Sequence, residues 1–236
     1  MDEVVIVKNL KKYFGKKKAV RGISFGVKKN TIFGILGPNG SGKTTTLRML
    51  TTLLSPTSGS IEIERMKYET NLQNIRCDIG YVPQVDALYK NLSVWDNVDF
   101  FFAPYRYDGR RKDRIIEILQ KVNLLDNKKT LARDLSGGML KRLSIACAVV
   151  HKPKIVFFDE VTMGLDPVAR QMIWDLVREL KMIATVVMTT HYMDEAEELC
   201  DYIIIMKEGT IVSEGKPAEI ISKYKAKNLQ EVFTNL

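Results

Sequence analysis

Gly37-Pro38-Asn39-Gly40-Ser41-Gly42-Lys43-Thr44 is a glycine-rich turn closed by a lysine and a hydroxyl. Its spacing is G-x-x-x-x-G-K-[ST]. The apolar run Ile32–Leu36 precedes it, and a helical stretch from Lys43 to Leu54 follows. Glycines let successive N–H groups curl around one anion, and the helix N-terminus adds partial positive charge at the same place. Lys43 supplies a full charge to outer phosphates. The Thr44 hydroxyl is placed to ligate Mg²⁺ bridging two phosphate groups. With glycine near 7% of residues, the four fixed positions would match by chance in about 1% of chains of this length. The turn therefore predicts an α/β protein that binds a nucleotide.

Outward from this loop, strands and helices follow one another. Val4–Leu10 reads as a strand. Ile23–Val27 and Thr31–Leu36 flank Lys28-Lys29-Asn30, the pattern of a hairpin, and Asn30 tolerates a left-handed backbone. Ile61–Glu64 and Gly80–Val82 read as short strands. From Val85 to Lys152 the period becomes helical. Ile115, Ile116 and Leu119 mark Arg110–Val122; Leu140, Leu143, Cys147 and Val150 mark Met139–Val150. Ile155–Phe158 is an apolar strand. Val168–Leu180 carries Ala169, Met172, Ile173, Leu176, Val177 and Leu180 on one helical face. Thr185–Met188 is β-branched, and Tyr202–Met206 with Thr210–Ser213 flank a turn at Glu208-Gly209. Apolar strands interleaved with amphipathic helices imply a sheet covered on both faces.

The chain has 236 residues, 45% hydrophobic and 27% charged. One large domain, or one domain with an inserted subdomain, fits; disorder, collagen and coiled coil do not. Net charge +8 suits an anionic partner (nucleotide, nucleic acid or membrane surface) or simply a solvated basic surface. The run Lys8, Lys11, Lys12, Lys16, Lys17, Lys18 is expected to be such a face. Cys77, Cys147 and Cys200 lack C-x-x-C spacing, which argues against a disulfide framework or zinc site and for reduced, buried thiols. The start of the chain has no secretory pattern, and no apolar run reaches the roughly 18–20 residues that cross a bilayer.

A second acidic site follows the strand Ile155-Val156-Phe157-Phe158, which ends in Asp159-Glu160. A strand in a parallel sheet delivers such residues to the ligand-binding edge. Asp159 would face a metal, and Glu160 would orient or deprotonate an attacking water. By itself the pair reads equally as a cap at a strand-to-loop junction; beside a phosphate loop the catalytic reading is favoured.

Leu135-Ser136-Gly137-Gly138 opens the helix Met139–Val150, as an N-cap serine or as a second anion site. With this set in this order, nearly the whole chain resembles the nucleotide-binding subunit of an ABC transporter. The resemblance implies a P-loop NTPase fold of ABC type: a mixed, mostly parallel core sheet with helices, an N-terminal antiparallel β subdomain and an inserted helical subdomain. The core would span 1–84 and 153–236, the helical subdomain about 85–152. It implies ATP held by Gly37–Thr44, Thr45 and, from a second chain, Ser136, Gly137 and Gly138. Mg²⁺ would be held by Thr44, Asp159 and Gln84, which looks like the family's glutamine loop. Glu160, Gln84 and His191, the last resembling the switch histidine, would be catalytic. Asp166, in the D-loop-like Gly164-Leu165-Asp166, would lie at the dimer interface. Phe14 fits the aromatic that stacks on adenine, with Tyr13 as its competitor.

The resemblance also implies partners: a second nucleotide-binding subunit, identical or related, and a separate transmembrane permease, with no nucleic acid. The chain would sit on the cytoplasmic face of the membrane. Permease contact is expected near Gln84; Phe100–Tyr105 would join that surface or form subdomain core. His151 matches no motif and is expected at a helix end. Met139, Val161 and Asn30 depart from the usual pattern but remove no phosphate, metal or water ligand. The Leu135–Arg142 and Thr189–Glu197 segments look most like the drug- and lipid-exporter branch. The alternatives are a soluble ABC-type ATPase acting on ribosome or nucleic acid, and a non-catalytic nucleotide sensor; Glu160 and His191 argue against the latter.

Overall fold

The computed structural model describes residues 2–236. Two long strands, β1 (Glu3–Phe14) and β2 (Lys17–Lys28), pair antiparallel across a left-handed turn at Gly15. β3 (Ile32–Leu36) leaves this layer. After α1 (Lys43–Leu50), β4 (Ser58–Ile63) and β5 (Met66–Lys67) return to it, giving the order β2-β1-β4-β5.

The hairpin expected across Lys28-Lys29-Asn30 does not form. Asn30 does turn left-handed, φ +56°, but β2 stays in the antiparallel sheet while β3 enters a second one. The reason is burial. All five residues of β3 are buried, so the strand needs cover on both faces, which a peripheral hairpin lacks. The first helix is also shorter than its pattern suggests. Thr51 closes it and Thr52 is left-handed, φ +61°.

α2 (Leu72–Asp78) leads into β6 (Ile79–Val82). Three helices follow: α3 (Val94–Phe102), α4 (Arg111–Lys121) and α5 (Gly137–Val149). The chain then alternates β7 (Ile155–Asp159), α6 (Pro167–Lys181), β8 (Thr185–Thr190), α7 (Met193–Leu199) and β9 (Tyr202–Lys207). β10 (Thr210–Gly215) turns back on β9, and α8 (Pro217–Lys223) and α9 (Leu229–Asn235) close the described chain. The second sheet has the order β10-β9-β3-β8-β7-β6; its strands are parallel except β10.

Alternation along these strands feeds two cores. Ile32, Leu36, Val156, Phe158, Val186, Met188, Ile203 and Ile205 pack toward the helices on one face. Phe33, Ile35, Ile155, Phe157, Val187, Ile204 and Met206 pack with α1 and the antiparallel sheet on the other. Fully burying one such side chain stabilises by about 1.5–3 kcal/mol, which is why the strands read as unbroken apolar runs.

α5 is buried around most of its circumference from Leu143 to Val149, so its four-residue sequence stripe understates its burial. Ser136 caps its start by accepting from Met139 N–H. Its last turn is capped by the buried Arg114 of α4, which donates to Val150 O (2.8 Å) and Val149 O (3.0 Å). The Phe100–Tyr105 stretch divides: Phe102 is fully buried, whereas Phe100 is half exposed against Tyr89. Cys147 and Cys200 are buried, but Cys77 is exposed on α2, against the expectation of three buried thiols. Among the described residues no helix is long and apolar enough to cross a membrane.

Candidate active site

The sheet registers put β3, β7 and β8 level at their C-terminal ends: Leu36 pairs with Thr190, and Asp159 with Thr189. The loops leaving these ends therefore converge, the place where open α/β sheets bind ligands. Leu36 runs into Gly37–Gly42. Gly42, at the N-cap of α1, has φ +107°, and a Cβ there would lie 2.7 Å from Ala19 O. A side chain at Gly37 would meet Met206 O at 2.3 Å. Pro38, Asn39 and Gly40 are exposed, while Ser41 and Lys43 are buried and Thr44 and Thr45 are half-buried. Lys43 Nζ curls back over the loop, donating to Gly37 O (2.8 Å) and Pro38 O (3.2 Å), and lies 3.3 Å from Glu160 Oε1.

Asp159 and Glu160 are both buried. Asp159 Oδ1 accepts from Thr44 Oγ1 (3.0 Å) and from Thr189 Oγ1 (2.7 Å), and Oδ2 accepts from the Tyr81 hydroxyl at 3.5 Å. Burial, with the Asp159 charge adding to it, pushes the Tyr81 phenol up to about 12, so it stays a donor. Glu160 sits in the left-handed region, φ +48°, held by its N–H donating to Thr189 O and Thr189 Oγ1. That twist turns its carboxylate between the Lys43 ammonium on Oε1 and the His191 imidazole, whose Nδ1 lies 3.0 Å from Oε2. His191 is half-buried and leans on Tyr192, ring centroids 4.1 Å apart.

Gln84, two residues beyond β6, is half-buried; its Nε2 donates to Met163 Sδ at 3.4 Å. Ser136, Gly137 and Gly138 are not joined to this cluster. They line a separate open hollow of about 320 Å³ together with Arg142, Gly164, Asp166 and Ala169. Asp166 caps α6 there, Oδ1 accepting from Val168 and Ala169 N–H, each 3.0 Å. Phe14 is half exposed at the end of β1, with Lys12 Nζ 5.2 Å from its ring; Tyr13 is less exposed, its N–H donating to Thr57. Thr189, Tyr81 and Lys141 were not singled out by motif. The signal for Thr189 is a run of two hydroxyl residues, Thr189-Thr190, buried at the end of β8 just before His191.

These residues fit a phosphate ligand with a divalent cation. Ser41 Oγ is buried without a hydrogen-bond partner, an unmet polar atom within the loop itself. Gly40 and Gly137 have open space where a Cβ would lie. Thr44 and Asp159 offer hard oxygen donors side by side, the chemistry Mg²⁺ prefers.

Residues 20–163, which contain the phosphate loop, the Ser136–Gly138 turn and the Asp159-Glu160 pair, match the family model described as ABC transporter. The chain belongs to the ABC transporter family. It is an ATP-binding subunit of that family and an ATPase. The linearmycin resistance ATP-binding protein LnrL of Bacillus subtilis is 39% identical over 91% of this chain and 70% of its own length. The Nod factor export ATP-binding protein I of Cupriavidus metallidurans is 36% identical over 99% of this chain and 78% of its own. An ATP-binding cassette solved as a dimer in a post-hydrolysis state, bound to ADP and phosphate, superposes with a TM-score of 0.81. It is 31% identical, covering 90% of this chain and 98% of that one. ABC transporter ATP-binding subunits pair with one another and work with a membrane permease.

Proposed function

We propose that this ABC subunit binds MgATP at a head-to-tail dimer interface and hydrolyses it to drive export through a separate membrane subunit. The observation that carries the reading is the chain of contacts Lys43–Glu160–His191 beside the Thr44–Asp159 pair, all at one sheet edge. Each ATP would lie between Gly37–Thr45 of one chain and Ser136, Gly137 and Gly138 of the other. The separation of these two anion-binding elements within one chain supports that sharing. The dimeric relative bound to ADP and phosphate supports it too. Asp166 borders the same hollow and would cross the interface. Phe14, the more exposed of two adjacent aromatics, would cover the adenine.

Thr44, Asp159 and Gln84 would hold Mg²⁺. The ion supplies charge neutralisation on the phosphate oxygens. Glu160, 3.3 Å from Lys43, would accept the proton of the attacking water and orient it; His191 would hold that carboxylate in place beside the γ-phosphate. Lys43 exchanges loop carbonyls for phosphate oxygens, a stronger charge-assisted contact. Loss of the γ-phosphate removes the bridge between chains, and the pair opens.

The division into a core of 1–84 and 153–236 and a helical subdomain of 85–152 would serve this cycle, since Gln84 ends the first core stretch and leads straight into the helical subdomain. The membrane subunit would dock beside Gln84, where Val85, Tyr89 and Phe100 are exposed, on the cytoplasmic face. Relatives named for antibiotic resistance and Nod factor export support export and transport over ribosome or nucleic-acid work. Glu160→Gln tests the assignment. It keeps ATP binding, lowers turnover by about 10²–10⁴-fold, and accumulates an ATP-bound species of doubled mass by light scattering. Wild-type turnover in that variant removes Glu160 from its role.

A further inference from the structure

Lys141 is 5% exposed, fully within the protein, although lysines are rarely buried without partners. It lies one turn into α5, the helix that begins at Ser136–Gly138. Its Nζ donates to the backbone carbonyl of Gln84 (2.9 Å) and to Asp86 Oδ1 (2.9 Å), residues more than fifty positions earlier. The far end of α5 is fastened by Arg114. A rigid helix is thus held at one end by a guanidinium and, near its start, holds the glutamine loop through an ammonium. The contact is to the main chain of Gln84, so it fixes where the loop runs without engaging the amide side chain, whose Nε2 meets Met163 Sδ instead.

We propose that Lys141 is a positioning residue that locks the Gln84 backbone to the helix carrying Ser136–Gly138, so that loop and anion-binding turn move as one body. This rests on the role given to Gln84 above. In a head-to-tail pair, Gln84 addresses the ATP on its own phosphate loop, while Ser136 addresses the ATP on the neighbouring chain. Lys141 then joins the two sites mechanically. A cation is required because the two acceptors, a carbonyl and a carboxylate, must be met at once in a dry place.

Lys141→Met, Lys141→Arg and Gln84→Ala are compared in the purified chain with ATP and Mg²⁺. Lys141→Met is expected to lower kcat about tenfold or more with KM for ATP within about twofold, and Lys141→Arg to recover most of it. Amide hydrogen exchange across 84–88 is expected to accelerate in Lys141→Met and return in Lys141→Arg. Wild-type kcat in Lys141→Met, alongside a slowed Gln84→Ala, overturns the proposal and spares the reading of Gln84. Wild-type turnover in Gln84→Ala overturns that reading and this proposal with it. Should Lys141→Met not fold, Asp86→Asn is read in the same assays. It weakens one anchor with Lys141 still in place, and unchanged exchange and kcat overturn the proposal.

Discussion

At Glu160 the backbone adopts φ +48°, a conformation that costs a non-glycine residue about 1–3 kcal/mol. Thr189 stabilises it from β8: its carbonyl and hydroxyl both accept from Glu160 N–H, and its hydroxyl donates to Asp159. One side chain therefore sets both acids. Thr189→Val keeps the β-branch but lacks that hydroxyl. Turnover is expected to fall about tenfold or more, with about 1–3 kcal/mol lost in urea unfolding. Unchanged kcat would mean that the acids hold themselves. Thiol chemistry gives a second check at this scale. Cys77 is exposed, while burial pushes the Cys147 and Cys200 thiols up and keeps them protonated. Maleimide is expected to label one thiol per native chain and three after denaturation; two or more native labels would contradict the burial.

Among the elements, α5 depends on its ends. It opens on the Ser136 cap and closes on Arg114, whose guanidinium also pairs with Glu117 Oε1 at 2.8 Å. Arg114→Leu takes the Arg114 donor from Val150 O, while Val149 O keeps the Lys152 N–H at 3.1 Å. It is expected to destabilise by about 2–4 kcal/mol, read from urea midpoints. A loss below about 0.5 kcal/mol would show that water replaces the cap. Strands β7 and β8 and helix α6 were legible beforehand, because their apolar runs are continuous or at helical spacing. The turn at Asn30 was legible too, but not its consequence. A left-handed residue ends a strand locally; which sheet the next strand joins depends on β8 and β9, residues 185–207. Ala169 and Met172 looked like core on the α6 stripe and instead line the hollow beside Ser136–Gly138.

Across the whole molecule, His151 joins the helical segment to the core sheet. Its ring stacks on Tyr105, centroids 3.8 Å apart, and its Nε2 lies 3.0 Å from Ile79 O. Burial lowers its pKa to about 4, with Arg114 opposing protonation and the Ile79 carbonyl and Asp78 partly favouring it. The folded value lies below the unfolded one of about 6.5, so the unfolded chain takes up the proton first. The His151 contribution is intact above about pH 6.5. It is lost as the pH falls toward 4, by up to about 3 kcal/mol in total. His151→Gln removes this component. Its stability relative to wild type, from urea unfolding at about pH 7.5 and 4.5, is expected to improve on acidification; a constant difference would show that His151 does not titrate as described.

Sequence alone determined the phosphate loop, the acids after β7, the histidine after β8 and most of the strands and longer helices, though not β5, α2 or α7. Each is set by contiguous residues: glycines at fixed spacing, apolar runs ending in charge, hydrophobic period. Tertiary structure alone decided which loops share an edge, that Lys43, Glu160 and His191 form one chain of contacts, and that Thr189 and Lys141 hold the acids and the glutamine loop. Those contacts join residues 29 to 117 positions apart. No local preference encodes them. They arise when burial on both faces fixes the strand order and the register brings distant strand ends level.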